Sequence, residues 1–158
     1  MIVHFHASGI PLQGVEYVKQ AQKLLGYEAG IKWQIFDGKP WLPFEELVAK
    51  MKEADICLGI FGTTRKSSMV IPNKVYEALA VGKAIITAGT SAIKELLTDR
   101  ENVLLCKAGD AQDLASKILE LKNNLSLREK IAKNGHELFT NKLQPKQIVS
   151  ELIAKLSV

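Results

Sequence analysis

One carboxylate stands out among the residues whose chemistry suits ligand binding. Glu77 lies in an otherwise apolar stretch that has the composition of a buried helix, opened by Pro72 and closed before Gly82. A carboxylate in such a stretch is costly unless it is paired or faces a polar cavity. Lys74 lies three residues earlier on the same helix face, so an ordinary ion pair within the helix is the alternative. We favour Glu77 as an acceptor for ligand hydroxyl groups.

The loop that precedes this helix carries hydroxyl and cationic side chains. They are Thr63, Thr64, Arg65, Lys66, Ser67 and Ser68. The free N–H groups at the start of the helix, together with its dipole, favour an anion. The loop therefore has the composition of a phosphate site. A solvated loop, in which the hydroxyl side chains are turn residues, is the alternative that the sequence leaves open.

Other candidate groups near the N-terminus carry weaker signals. His4 and His6 point to the same side of a predicted strand, but no third ligand is near, so we expect no zinc site. His6, at the strand end, is a candidate neutral hydrogen-bonding group. Gly9 and Gly14 flank a tight turn, yet no dinucleotide or Walker pattern is present. A plain strand-to-helix connection is the default interpretation of that turn.

The elements that must position these residues alternate between short apolar runs and helical periodicities. The predicted strands are residues 2–5, 31–36, 56–61, 84–86 and 102–106. The predicted helices with both ends defined are residues 15–25, 44–51, 72–81, 91–97 and 145–156. Two further helices are predicted from their N-caps. Asp110 caps one that runs to residue 121, and Ser126 caps the next, with Glu129 completing a capping box.

This alternation predicts a doubly wound parallel sheet, a Rossmann-like α/β fold forming a single domain over residues 1–158. Ligands in such sheets bind outside the carboxyl ends of the strands. Three polar loops are predicted there, namely Ala7–Gly14, Asp37–Trp41 and Gly62–Asn73. We expect the site where these loops meet.

Composition excludes several classes of protein. The chain is 47% hydrophobic and 24% charged, which argues against disorder, and it has no apolar run of membrane-spanning length. Cys57 and Cys106 lie in apolar strand-like runs without metal spacing, which indicates reduced thiols and a cytoplasmic location. The net charge of +4 permits an anionic partner, but no basic-aromatic cluster predicts nucleic-acid binding.

The central helix also resembles a known family. Residues 72–83, PNKVYEALAVGK, are similar to the donor-nucleotide helix of glycosyltransferase family 4, retaining enzymes with the GT-B fold of two facing Rossmann-like domains. The resemblance extends to segments 11–16, 54–56, 95–97, 101–105 and 109–110, in the family's order, and covers nearly the whole chain.

The resemblance implies roles for individual residues. Glu77 matches the glutamate that binds the ribose hydroxyls of the nucleotide, and Asn73 and Lys74 occupy the helix start whose N–H groups hold the diphosphate. The first-loop residues that would face the donor phosphates are Gly9, Gln13 and Gly14. Asp37 and Gly38 fall near the usual position of the base.

Some positions depart from the family pattern. Met69 stands where the family commonly has a glutamate that touches the donor sugar, and Ser8 and Gln13 stand where it has Arg and Lys. The two strongest charges for the diphosphate are therefore missing, and Arg65, Lys66 or Lys74 would have to supply positive charge. The segment between Leu25 and Asp55 is also about one strand-helix unit shorter than usual.

The resemblance implies the C-terminal, donor-binding domain of a retaining glycosyltransferase. Such an enzyme transfers sugar from a nucleotide-diphosphate sugar to a glycan or lipid-linked acceptor, with no metal or other cofactor. Its acceptor-binding N-terminal domain or subunit, through which any membrane attachment is expected, is absent here. Met1 would then begin either an excised piece or one half of a split enzyme, and we expect this chain alone to bind nucleotide and transfer nothing.

Two other functions stay open at this point. The first is a non-catalytic nucleotide-binding, sugar-binding or regulatory module that has the same fold. The second is half of a sugar-nucleotide epimerase, although the acids and histidine that would converge on the sugar in such an enzyme are not found.

Overall fold

A computed structural model describes residues 1–26, 30–38 and 41–156. Five parallel strands form one sheet in the order β2-β1-β3-β4-β5, which confirms the predicted doubly wound α/β fold. The strands are β1 (Ile2–His6), β2 (Lys32–Phe36), β3 (Ile56–Leu58), β4 (Ala84–Ala88) and β5 (Leu104–Cys106). The helices are α1 (Val15–Leu25), α2 (Phe44–Glu53), α3 (Arg65–Ser68), α4 (Asn73–Ala80), α5 (Ser91–Leu96), α6 (Ala111–Asn123), α7 (Leu125–Leu138) and α8 (Pro145–Leu156).

The direction of the winding reverses at β1. This strand pairs with β2 on one side, where His4 lies opposite Gln34 and His6 opposite Phe36, and with β3 on the other side. At such a reversal the connections leave neighbouring strands on opposite faces of the sheet and open a crevice at their carboxyl ends. We therefore expect the ligand site at the loops that follow β1 and β3.

Apolar side chains cover both faces of the central strands. Leu58 and Ile86 point into the cluster beneath α1 and α6, whereas their neighbours Cys57 and Ile85 point into the cluster beneath α4. Burial raises the pKa of the Cys57 thiol to about 12. Leu79 of α4 is fully buried in the second cluster. This packing fixes α4 on the sheet and so fixes the position of the carboxylate that α4 carries.

Strand β3 ends at Leu58, three residues before the predicted end at Phe61. The side chain of Thr87 on β4 contacts the segment that follows. Its hydroxyl oxygen accepts a hydrogen bond from the Ile60 amide at 3.2 Å and donates to the Ile60 carbonyl oxygen at 3.3 Å. Backbone hydrogen bonds to β4 continue past Leu58, from the Gly59 amide to the Ile86 carbonyl oxygen at 2.8 Å and from the Ala88 amide to the Ile60 carbonyl oxygen at 3.0 Å, but the regular register of the strand pair ends at Leu58.

Helix α7 begins two residues earlier than predicted. Asn124 is its N-cap, because the Asn124 side-chain oxygen accepts a hydrogen bond from the Leu127 amide at 2.9 Å. The predicted capping box of Ser126 and Glu129 is therefore wrong, since an asparagine that caps equally well already ends α6. The predicted cap of α6 is confirmed, as Asp110 accepts hydrogen bonds from two backbone amides.

Helix α8 has the predicted bounds and one exposed apolar face. Ile148, Val149, Leu152 and Leu156 are between 51% and 75% exposed and recur at helical spacing. Like the other helices that the structure describes, α8 does not combine the length and apolar character needed to cross a membrane. Its apolar face is a distinct feature of the surface.

Candidate functional site

The loops predicted to form the site come together at the carboxyl edge of the sheet. The Phe61 amide donates to the Gln13 carbonyl oxygen at 3.2 Å and joins the loop after β3 to the loop after β1. Gly9 lies beside the end of β2, where an added Cβ would be 3.7 Å from the Asp37 carbonyl oxygen. Of the predicted loop that starts at Asp37, Lys39 and Pro40 lie outside the described residues.

Gly14 allows the loop after β1 to pack directly against the backbone of the loop after β3. It has φ of +65° at the start of α1. A Cβ on Gly14 would lie 2.6 Å from the Gly62 nitrogen and 2.7 Å from the Phe61 carbonyl carbon. Close backbone packing therefore explains the glycine. Its role toward donor phosphates stays a prediction.

The predicted hydroxyl and cationic residues lie together after β3. Thr63, Thr64, Arg65 and Lys66 are all exposed. The Thr64 hydroxyl oxygen caps α3 by accepting from the Ser67 amide at 3.2 Å. Among the residues described, neither Arg65 nor Lys66 has a carboxylate partner. Both cations therefore remain available to an anion at this edge.

Glu77 and Lys74 both contact His6, the last residue of β1. Glu77 Oε2 lies 3.1 Å from His6 Nε2, and Lys74 Nζ donates to the main-chain carbonyl of His6. The Lys74 ammonium also lies 4.5 Å from the centre of the Phe5 ring, a cation–π contact. Two side chains of α4 therefore tie the helix to the end of β1, an arrangement that spacing along the helix did not predict.

The environment of Glu77 is that of an ionised acceptor. Its Oε2 is buried, and no described group donates a well-directed hydrogen bond to that oxygen, although the His6 ring is close. The side chain as a whole keeps 34% of its surface exposed. The His6 imidazole holds the pKa of Glu77 below its usual range, against the opposing effect of burial. Glu77 is thus a carboxylate at neutral pH with capacity to accept further hydrogen bonds.

Lys74 is buried although it carries an ammonium group. Only 6% of the residue is exposed, and this burial lowers the pKa of Lys74 to about 8, while the nearby Glu77 charge acts to raise it. The group therefore stays mainly protonated at neutral pH. The positive charge of Lys74 is therefore buried behind the site and is not exposed to solvent.

A chain of polar side chains leads from Glu77 back through the sheet, and the sequence did not predict it. His6 Nδ1 lies 3.0 Å from His4 Nε2, and His4 Nδ1 lies 3.4 Å from Gln34 Oε1. Gln34 Nε2 in turn donates to Glu53 Oε2 at 3.1 Å. The His-x-His spacing was the only sequence signal for this row of polar side chains. The pairing of Gln34 with His4 depends on the register of two strands, which the sequence did not predict.

Ser8 and Gln13, two positions that depart from the family pattern, bond to each other. The Ser8 amide and hydroxyl donate to Gln13 Oε1 at 2.7 and 3.2 Å. A neutral local contact therefore stands where the resemblance implies two cations. Met69, the third departure, is 66% exposed.

A small cavity lies beside His6, between the ends of β1 and β2 and helix α2. It has a volume of about 60 Å³ and is lined by His6, Ala7, Phe36, Gly38, Trp41, Leu42 and Leu47. Asp37, next to the cavity-lining Gly38, is paired with Lys19 at 2.5 Å, which lowers the pKa of Asp37. Larger depressions of about 510 and 640 Å³ lie along α1, away from Glu77.

Comparison with protein families gives one match over most of the chain. The family described as "Glycosyl transferase-like" matches residues 12–154. An uncharacterized glycosyltransferase of Methanocaldococcus jannaschii is 30% identical over a 148-residue alignment, which covers 84% of this chain and 41% of that relative. The chain therefore spans about two fifths of the length of this relative.

Solved structures show the same fold. The C-terminal domain of a glycosyl transferase group 1 family protein from Francisella tularensis has a TM-score of 0.70 at 21% identity, over 91% of this chain and 86% of that domain. The Anabaena protein HepE, solved in complex with UDP, has a TM-score of 0.70 at 18% identity, over 99% of this chain and 48% of HepE.

Proposed function

The chain belongs to the glycosyl transferase-like family, and from that membership we propose that it binds the nucleotide-sugar donor of a retaining glycosyltransferase. Transfer would run from a nucleotide-diphosphate sugar to a glycan or lipid-linked acceptor. The confirmed fold and the UDP bound to the structural neighbour HepE support a donor site of this kind. The site would lie at the carboxyl edge of β1 and β3.

Glu77 is the observation that carries the proposal. Its carboxylate is ionised, partly exposed and held against the end of β1 by His6. A fixed carboxylate of this kind accepts hydrogen bonds from two neighbouring hydroxyl groups, as a ribose presents them. The apolar core beneath α4 keeps the helix, and therefore the acceptor, in place.

The diphosphate is proposed to lie at the start of α4. The first amides of a helix have no acceptor within the helix, and Asn73 in that first turn is exposed. Thr63, Thr64, Arg65 and Lys66 lie on the loop before it. These groups would stabilise the charge that develops on the departing diphosphate. Such a site needs no metal, and we propose that the transfer uses none.

The base is proposed to bind at the small cavity beside His6. Gly38 and Trp41 line this cavity, and Trp41 is 56% exposed, so its ring has a free surface on which a planar base can stack. Gly9 and Asp37 lie close to the same edge. The backbone at Gly9 and Gly14 would then face the phosphates between base and sugar.

We further propose that the acceptor is held by an N-terminal domain or subunit. The chain spans 41% of its curated relative, and the exposed apolar face of α8 is a surface suited to a protein partner. Any catalytic group beyond the donor site would come from that partner. The two buried free thiols support a cytoplasmic location for the assembly.

One observation favours a different role. The contact between Ser8 and Gln13 leaves the first loop without charge, and Met69 stands where the resemblance implies an acid. A nucleotide-binding or regulatory module without transferase activity would tolerate both changes. Turnover on addition of the N-terminal partner distinguishes the transferase from the module, because a module binds nucleotide and stays inactive.

Calorimetric titration with UDP, GDP and ADP tests the proposed function. We expect one nucleotide to bind, and we expect Glu77→Ala to weaken that binding by about 1.5–3 kcal/mol because a charged acceptor is removed. Glu95→Ala, which removes an exposed carboxylate on α5, is the matched control and should bind like the unaltered chain. Equal binding by the two variants would refute the role of Glu77.

A further inference from the structure

Helix α3 is too short to be stable through its own hydrogen bonds. It has four residues, Arg65–Ser68, and a helix of that length closes too few backbone hydrogen bonds to offset the entropy lost in forming it. Other contacts must therefore hold it in place. These contacts bear on ligand binding because Arg65 and Lys66, the two exposed cations proposed to meet the diphosphate, both belong to α3.

The Ser67 hydroxyl connects α3 to the start of its loop. Ser67 is 2% exposed, and its Oγ lies 2.8 Å from the Gly62 carbonyl oxygen and 2.5 Å from the Thr64 carbonyl oxygen. A hydroxyl group has a single proton, so the two carbonyls share it. The loop composition grouped Ser67 with the hydroxyls suited to phosphate, but its proton is used within the protein and does not face a ligand.

Gly62 gives this connection a fixed end. The Gly62 amide donates to the Leu12 carbonyl oxygen at 3.2 Å, and an added Cβ would lie 2.5 Å from the Pro11 carbonyl oxygen. Because Gly62 is buried, water does not readily replace the Ser67 hydroxyl as a donor to its carbonyl oxygen. Ser67 therefore ties α3 to the packed junction between the loops after β1 and β3.

The other end of α3 is held by the loop that follows β4. The Ser91 hydroxyl donates to the Ser68 carbonyl oxygen at 3.0 Å. That hydrogen bond is exposed to solvent, whereas the bond from Ser67 to Gly62 is buried. A buried hydrogen bond is stronger and costs more to lose, because no water competes for it or replaces it. Ser67 is therefore the main anchor of α3.

We propose that Ser67 is a positioning residue for the diphosphate site. By anchoring α3 it fixes the backbone from which Arg65 and Lys66 extend. Cations on a fixed backbone lose less conformational freedom on binding an anion than cations on a mobile loop, so the same contacts give tighter binding. The two cations are needed because Ser8 and Gln13 supply no charge to the first loop. The identity of the anion rests on the proposed function, whereas the order of α3 is a property of the free protein.

Calorimetric titration with UDP and with uridine tests the positioning role. We expect Ser67→Ala to weaken UDP binding about tenfold, because contacts from charged donors to the phosphates are lost. Uridine lacks the phosphates, so its affinity should be unchanged. Ser150→Ala is the matched control and should bind both ligands like the unaltered chain. It also removes a hydroxyl that donates to a backbone carbonyl at 2.8 Å, but on α8.

A double-mutant cycle tests whether Ser67 acts through the two cations. In a background of Arg65→Ala and Lys66→Ala, we expect Ser67→Ala to have no further effect on UDP affinity, because the groups that it positions are gone. An equal loss in both backgrounds, or an equal loss for UDP and uridine, would overturn the positioning role. A Ser67→Ala variant that binds UDP as tightly as the unaltered chain would overturn it as well.

Nitrogen-15 relaxation of the backbone amides of residues 63–66 measures the order of α3 without a ligand. We expect order parameters of about 0.85 in the unaltered protein and below about 0.6 in Ser67→Ala. Mobile amides in the unaltered protein would overturn the inference whether or not any variant folds. Failure of the unaltered protein to bind UDP would instead count against the proposed function, while the relaxation data still decide whether Ser67 anchors α3.

Discussion

Gly14→Ala is expected to lower the free energy of unfolding by about 3 kcal/mol or more. The methyl group would meet the Gly62 nitrogen at 2.6 Å, so the loops after β1 and β3 would have to separate. Two hydrogen bonds join those loops, from the Phe61 amide to the Gln13 carbonyl and from the Gly62 amide to the Leu12 carbonyl, each at 3.2 Å. Separation would weaken both. Urea denaturation measures the loss.

Gly82→Ala is the matched control for this change. Gly82 has φ of +67°, nearly the same as Gly14, but an added Cβ would lie 3.6 Å from its nearest neighbour in the His136 ring. We therefore expect it to lose about 1 kcal/mol, the cost of the left-handed conformation alone. If the two variants lost equal stability, close packing of the loops would not be the reason for glycine at position 14.

Acid is expected to destabilise the fold through His4 by about 3 kcal/mol between pH 6.5 and about pH 4. Burial lowers the pKa of His4 from 6.5 to about 4, so the folded state prefers the neutral ring. As the pH falls through this range, the unfolded chain binds a proton that the folded chain resists. The contribution is present above pH 6.5 and is lost on acidification.

Denaturation at several pH values measures this loss, and two histidine variants isolate it. His4→Gln removes the buried ring and should flatten the dependence between pH 6.5 and about pH 5.5, above the range in which most carboxylates protonate. His136→Gln, on an exposed position of α7, should keep the dependence of the unaltered protein. Parallel curves for His4→Gln and the unaltered protein would show that His4 is not the group responsible.

The sequence predicted those features that local patterns determine. The bounds of α1 and α8 agree with the prediction because their apolar residues recur at helical spacing, and Asp110 caps α6 because its side chain acts on adjacent amides. The parallel sheet follows from the alternation of strands and helices. Glu77 was found because a carboxylate in an apolar helix is costly without a function or a partner.

The features that were wrong or not predicted depend on contacts between distant segments. Beyond the end of β3, the Ile60 amide donates to the side chain of Thr87 on β4, and Lys74 turns inward to a carbonyl 68 residues away. The polar chain behind Glu77 needs Gln34 opposite His4, and only the register of two parallel strands sets that pairing. Spacing along the chain carries no information about these three contacts.

Mapping of backbone amide shifts during a UDP titration tests the central claim most directly. A donor site at the carboxyl edge predicts saturable shifts confined to residues 6–14, 36–38, 41–42, 62–66 and 73–77, with the largest near the start of α4. Shifts centred on the depressions along α1, or no saturable shift at any residue, would contradict a nucleotide site built around Glu77.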